Sequence, residues 1–227
     1  MAIRPGASAA TLAHMDATAF VVRHTTVGVP PYLPEIRLHL AADAFALWER
    51  TEQAAGDGRV ADPPFWAFPW AGGQALARHL LDNPELVRGR RVLDVAAGSG
   101  IVAIVAAKCG AASVLANEID PYAAAAITLN AAVNGVAVEV DLRDLLDEMI
   151  EVDVVLAGDV FYSREMAARV LAFLRRGRAG GARVLVGDPG RAYLPREQLI
   201  EMASYQVPVV RALEDAEIKC ATVWQLP

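Results

Sequence analysis

The stretch "VLDVAAGSGIVA", residues 92–103, decides how the rest of the chain reads. It opens as an apolar run suited to a strand covered on both faces, interrupted only by Asp94 near its end. Gly98 and Gly100 then mark the point where the strand turns into a helix, "GIVAIVAAKCG", residues 100–110. Glycines at such a junction let the backbone approach a ligand that a side chain would block.

Outward from that junction the rhythm repeats. A helix is predicted in "GGQALARHLLDN" (72–83), a strand in "RRVLDVA" (90–96), a strand in "ASVLANEI" (112–119) and a helix in "PYAAAAITLNAAVNG" (121–135). Strands follow in "VAVEVDL" (136–142) and "VDVVLAGD" (152–159), then a helix in "REMAARVLAFLRRG" (164–177) and a strand in "ARVLVGD" (182–188). Alternation of this kind implies an α/β chain with a mostly parallel sheet wrapped on both faces. Late strands in "YQVPVVRAL" (205–213) and "IKCATVWQL" (218–226) suit an antiparallel pair at the sheet edge. Ahead of all this, "AFVVRHTTV" (19–27) reads as β-like and "DAFALWERTEQAA" (43–55) as a helix, with residues 1 to about 15 a flexible end. "GDGRVADPP" (56–64) has the composition of a linker. The expected organisation is an N-terminal extension over residues 1–60 and one main domain over 61–227.

Composition bounds the function. The 227 residues are 55% hydrophobic and 21% charged, enough apolar surface to offset the entropy of ordering. No run reaches the roughly 18 apolar residues of a membrane span, so no membrane partner is expected. The first residues lack the compact apolar block of a secretory signal. A net charge of −6 argues against a nucleic-acid binder and in favour of a protein partner. Cys109 and Cys220 stand apart and the four histidines show no metal-ligand spacing, so a reducing compartment and no metal are expected.

At the end of the strand after the glycine loop, Glu118 is placed to accept hydrogen bonds from two ribose hydroxyls. Gly98, Gly100 and Ala103 also satisfy the GxGxxA spacing of nicotinamide-dependent oxidoreductases, so spacing leaves the cofactor open. Asp94 separates the two: an acid there repels a pyrophosphate but holds an ammonium group through water or backbone amides. S-adenosyl-L-methionine carries an ammonium and no phosphate.

"VLDVAAGSG", "ANEIDP" and the acid after "VVLAG" together resemble the class I, seven-β-strand S-adenosylmethionine-dependent methyltransferases over roughly residues 64–227. The resemblance implies a Rossmann-like, doubly wound, seven-stranded sheet, with S-adenosyl-L-methionine as donor and S-adenosyl-L-homocysteine as product. It assigns Asp94, Gly98, Gly100, Glu118 and the adjacent Ile119 to the cofactor, and Asp144 to the adenine. Ala96 stands where that family has its first loop glycine; a methyl group there implies altered loop packing and retained binding.

Asp159, Val160, Phe161 and Tyr162 match the D-x-[FY]-[FY] motif of lysine-directed members. The chemistry gives a reason, since a lysine amine, with a free pKa of ~10.4, reaches a neutral solution protonated. A carboxylate facing the methyl group orients the amine, and aromatic faces hold the alkyl stem. Asp159 therefore counts on the cofactor and the catalytic side, with Phe161 and Tyr162 as its partners. The alternative is that Asp159 caps the helix starting near Ser163 and the two aromatics are core. "PPFWAFPWAGGQAL" (63–76) places Trp66, Phe68 and Trp70 on one side of an extended segment, either as a lid over the core or across the cofactor. The resemblance favours Trp70 as a cofactor contact, with Gln74 a lesser one.

"FWAFPWAGGQALARHLLDNPELVRGRRVLD", "LANEIDP", "GDVFY", "VGDPGR" and "TVWQLP" in one chain resemble most closely the family of lysine methyltransferases acting on the electron transfer flavoprotein β subunit. That resemblance implies a monomeric protein-lysine N-methyltransferase, cytoplasmic or in the mitochondrial matrix of a eukaryote. A methyltransferase for a ribosomal protein or small amine, a nicotinamide-dependent oxidoreductase and an inert binding module remain the other readings.

Overall fold

The structure is a computed structural model that describes residues 9–55, 63–209 and 216–227. The chain opens with α1 (Ala9–His24), a small antiparallel pair of β1 (Thr26–Gly28) and β2 (Leu38–Leu40), and α2 (Ala44–Ala55). A single 3-10 turn at Phe65–Ala67 leads into α3 (Ala71–Asp82). Then come β3 (Arg91–Val95), α4 (Ile101–Lys108), β4 (Ser113–Asn117), α5 (Pro121–Val133), β5 (Glu139–Asp141) and β6 (Val154–Gly158). The chain closes with α6 (Arg164–Ala179), β7 (Arg183–Asp188), β8 (Ile200–Pro208) and β9 (Ile218–Leu226).

Strands β3 to β9 form one seven-stranded sheet in the order β5-β4-β3-β6-β7-β9-β8. The β3, β4, β5, β6 and β7 pairings are parallel, and β9 inserts antiparallel between β7 and the edge strand β8. This is the expected doubly wound, mostly parallel α/β fold. The late pair is antiparallel as expected, although β8 begins earlier, at Ile200, and residues 210–213 of the expected strand lie outside the described residues.

The strands sort the core by a period of two. Val92, Val154, Leu156 and Leu185 face α3, α4 and α5, whereas Leu93, Val95, Val155, Ala157, Val184 and Val186 face α6 with its Val170, Phe173 and Leu174. Continuously apolar strands are therefore explained by cover on both faces. Asp94 belongs to the first set by its register, which puts a carboxylate inside an apolar layer.

A third cluster joins Ala17 and Val21 of α1 and Leu47 of α2 to Trp66, Phe68 and the alanines of α5. Asn130 of α5 ties this region to the glycine loop: its Oδ1 accepts from His39 N at 2.7 Å and its Nδ2 donates to Ser99 O at 2.9 Å.

Three local expectations are corrected. "AFVVRHTTV" is helical through His24, and only Thr26–Gly28 is a strand, because Ala17 and Val21 bury one face of α1 against α5. Residues 9–15 open that helix and are not a flexible end; residues 1–8 lie outside the described residues. The expected linker falls there too, over residues 56–62. Finally, Phe65–Ala67 coils where an extended segment was expected, and Trp66 is 1% exposed in the core.

Candidate active site

A cavity of about 570 Å³ opens at the carboxyl ends of β3, β4 and β6, where the strand order reverses between β3 and β6. A reversal splays the two connecting loops apart and leaves a crevice for ligand. Two walls face each other across it.

The first wall is built by β3, α4 and β4. Ala96, Gly98 and Gly100 adopt left-handed backbone with φ of 51°, 55° and 74°. For Ala96 this costs roughly 1–2 kcal/mol relative to glycine, so the methyl is accommodated by strain in the turn. Gly100 begins α4 with no side-chain cap of its own, and Asp94 takes that role from below, its Oδ2 accepting from Ala103 N at 2.9 Å. The Glu118 carboxylate accepts from Gly98 N at 2.7 Å and from Ile119 N at 3.1 Å, which pins the loop to the end of β4. Burial pushes the Asp94 carboxyl up to about 8, with the nearby Glu118 charge adding to the rise. Burial raises Glu118 as well.

The second wall is built by β6, α3 and the loop after β7. Asp159 ends β6 in a left-handed turn, φ 57°, and its side chain keeps only 11% of its surface exposed. Its Oδ2 accepts from Gly73 N at 2.8 Å, and its Oδ1 accepts from Arg191 Nε at 3.1 Å and from an Arg191 terminal nitrogen at 2.7 Å. The α6 helix is capped by Ser163, which accepts from Met166 N, so Asp159 does not cap the helix that follows it. It caps α3 instead, whose N-cap residue, Trp70, makes no side-chain hydrogen bond to the first turn. Burial raises Asp159 to about 6, against the pull of Arg191 and Gly73 N–H.

Three glycines, Gly72, Gly158 and Gly187, make this arrangement possible. A Cβ on Gly72 would lie 2.3 Å from Gly187 O and 2.6 Å from Asp159 Oδ2; one on Gly187 would lie 2.2 Å from Gly72 O. Gly158 meets Gly73 Cα at 2.9 Å in the same way. The start of α3 thus rests directly on the ends of β6 and β7, close enough for a backbone N–H to reach Asp159.

The mouth is aromatic. Trp70 is held by Nε1 donating to Phe65 O at 2.8 Å, Phe65 packs on Tyr162 at 5.5 Å, and the Arg191 guanidinium sits over Trp70 at 5.6 Å. Trp66 and Phe68 belong to the core and also line the cavity.

Of the residues singled out by sequence, Trp70, Asp94, Ala96, Gly98, Glu118, Ile119, Asp159 and Tyr162 line the cavity. Gly100 sits behind the loop. Phe161 is fully buried under α6, facing away from the cavity that its neighbour Tyr162 lines. Asp144 is drawn off the cavity, paired with Arg169 at 2.8 Å and capping Leu146 N. Gln74 is buried, donating to Pro69 O at 2.7 Å. Sequence reasoning assigned no role to Arg191 and Asp188, although both lie inside the "VGDPGR" string that carried part of the family resemblance. Asp188 Oδ1 accepts from Gly190 N and Arg191 N at 2.6 and 2.7 Å, folding the loop back so that Arg191 points at Asp159.

The donor set tests which cofactor fits. Among the described residues lining the cavity are four acids, Asp94, Glu118, Asp120 and Asp159, and a single base, Arg191, already engaged by Asp159. Such a wall suits a cationic, hydroxyl-bearing ligand and opposes a pyrophosphate. Solved structures agree on the fold: the magnesium protoporphyrin IX methyltransferase of Synechocystis with bound SAM matches with a TM-score of 0.51 at 17% identity, over 79% of this chain and 91% of that one. The family model for ribosomal protein L11 methyltransferase matches residues 75–162, the cofactor half and the Asp159 strand. Fold, cavity and comparisons define a class I S-adenosylmethionine-dependent methyltransferase.

Chain-long relatives narrow the class. The electron transfer flavoprotein beta subunit lysine methyltransferase of Xenopus laevis is 38% identical over 213 residues, covering 91% of this chain and 85% of that protein. The Homo sapiens protein of the same description is 36% identical over 228 residues, with 97% and 86% covered. The chain belongs to the electron transfer flavoprotein beta subunit lysine methyltransferase family.

Proposed function

We propose that the protein transfers methyl groups from S-adenosyl-L-methionine to lysine side chains of the electron transfer flavoprotein β subunit, leaving S-adenosyl-L-homocysteine. The observation that carries this reading is Asp159: an almost buried carboxylate at the cavity, 2.8 Å from a helix N–H, beside Tyr162 and Trp70 at the open mouth. In this reading the first wall holds the cofactor. Asp94 receives its ammonium group, Glu118 its ribose hydroxyls, the loop at Ala96, Gly98 and Gly100 gives it room, and Ile119 and Trp70 flank it. The bound cofactor supplies an electrophilic methyl on a sulfonium.

The second wall belongs to the substrate. Tyr162, 49% exposed, and Phe65, 39% exposed, offer faces for the alkyl stem of a lysine entering from solvent. Asp159 accepts a hydrogen bond from the amine and turns its lone pair toward the methyl; the amine proton leaves to solvent. Phe161 supports Tyr162 and Asp159 from within the core. With Asp144 tied to Arg169, adenine recognition falls to Ile119 and neighbouring backbone. Residues 1–60 act as an N-terminal extension, whose α1 and α2 back the cofactor half through α5, and residues 61–227 as the catalytic domain. The enzyme acts as a monomer on protein, in the cytoplasm or mitochondrial matrix. Among the described residues no helix is long and apolar enough to cross a membrane.

The test offers electron transfer flavoprotein β subunit, ribosomal protein L11 and free lysine separately to the protein with methyl-labelled donor. Label on lysine of the β subunit is expected. Label on L11 or free lysine alone overturns the substrate, and no transfer to any of the three overturns the lysine reading.

A further inference from the structure

The loop after β7 holds a residue for which no role has been assigned, and its geometry is constrained from three sides. Asp188, 1% exposed, accepts both Gly190 N and Arg191 N on one oxygen. Gly190 adopts φ of 91°, a backbone conformation that strains any residue with a side chain, so the turn favours glycine there. Arg191 then reaches over the face of Trp70 and gives two N–H donors to one oxygen of Asp159. The other Asp159 oxygen is held by Gly73 N. Both oxygens of the carboxylate are therefore fixed, from two elements far apart in sequence.

We propose that Arg191 is a positioning residue for methyl transfer, which keeps Asp159 ionised and correctly turned while the substrate amine is held. The inference rests on the lysine methyltransferase reading. A carboxylate drawn into a nearly dry pocket prefers its proton, and a protonated Asp159 would donate to the amine where it must accept. A guanidinium at hydrogen-bond distance opposes that preference. The groups facing Asp159 are Arg191 and Asp188 from the β7 loop, the Gly73 N–H from α3, Tyr162 on its own loop, and Asp94, Glu118 and Asp120 across the cavity. Burial and the Asp188 charge push its proton on; Arg191 is the cation that pushes it off. Held over Trp70, the same charge also disfavours protonation of an amine brought to Asp159, which favours the neutral nucleophile.

The experiment measures kcat/KM for methylation of the electron transfer flavoprotein β subunit from pH 5 to 9 for wild type, Arg191→Lys and Arg191→Gln, with S-adenosylhomocysteine affinity as a control of folding. In wild type the logarithm should climb with slope one above Asp159's ionisation and slope two below it, since amine and acid must both lose a proton. The break is expected at or below about pH 6 in wild type and about 1–3 units higher in Arg191→Gln. Arg191→Lys should keep the wild-type break with a lower plateau, because a lysine retains the charge and loses the two-pronged contact. S-adenosylhomocysteine affinity should stay within about threefold for all three. A uniform loss with an unmoved break would make Arg191 merely structural and overturn the proposal, as would a rise in kcat/KM in Arg191→Gln. Absence of β-subunit methylation by wild type would instead strike the lysine reading itself.

Discussion

The two walls of the site solve one problem in two ways. Each places a buried carboxylate under the first turn of a helix that has no side-chain cap of its own: Asp94 under α4, through Ala103 N, and Asp159 under α3, through Gly73 N. Each is drawn toward its neutral form by burial. The difference lies in the partner. Asp159 has its own cation in Arg191 and rises to about 6, whereas Asp94 has no basic side chain paired with it among the described residues and rises to about 8. One acid is ready before any ligand arrives; the other is left to be ionised by a cation that the ligand brings. In the proposed function the second wall must accept from a neutral amine and the first must receive an ammonium, which this difference suits.

The comparison breaks first at Asp159. Asp159→Asn keeps the shape but removes the charge and replaces one acceptor oxygen by an NH2 donor, so methyl transfer should fall by about 10²–10⁴-fold while S-adenosylhomocysteine binding, measured by calorimetry, changes little. Equal losses in both would merge the two walls into one. Next in size is Gly187→Ala, whose Cβ would meet Gly72 O at 2.2 Å and force α3 off the sheet. We expect a loss of about 1–3 kcal/mol in denaturant unfolding, with transfer falling further than cofactor binding.

The raised acids give the ligand-free protein a pH dependence of known sign. Their folded-state values, about 8 for Asp94 and about 6 for Asp159, lie above those of an unfolded chain. The native state therefore binds protons more tightly in the range where Asp94 titrates, and stability should increase as pH falls from 8.5 toward 7, above the range where the lowered histidines His24, His39 and His79 act with the opposite sign. Thermal melts across that range check it, and Asp94→Asn should flatten the upper part of the curve. The smallest effect is expected at Ala96. Ala96→Gly relieves a left-handed alanine worth roughly 1–2 kcal/mol but adds chain entropy of roughly 0.5–1 kcal/mol, for a net gain of about 0.5 kcal/mol in unfolding free energy.

The wall proposed for the cofactor could be located in the sequence because its signals are local. Apolar strands, a glycine turn and an acid at the end of the next strand occupy one continuous stretch, and the structure brings Asp94, Gly98 and Glu118 together there. The substrate wall was legible only in part, because it is assembled from segments far apart in the chain. "GDVFY" pointed to Asp159, but nothing adjacent could disclose that its partners are Gly73 and Arg191, 86 and 32 residues away. Neighbouring aromatics were read as one unit, whereas the turn at Asp159 sends Phe161 into the core and Tyr162 to the mouth. In α1, β-branched and aromatic residues suggested a strand until packing on α5 supplied the stronger preference. Asp144 shows the same limit, since its partner Arg169 lies 25 residues on, in α6.

The contrast between the walls is tested most directly by counting protons during S-adenosylhomocysteine binding at pH 7, from calorimetric enthalpies in two buffers of different protonation heat. With Asp94 at about 8 beforehand and ionised by the ligand's ammonium, wild type should release close to one proton, and Asp94→Asn should release none. Buffer-independent binding by wild type, or the same release from Asp94→Asn, would contradict the account.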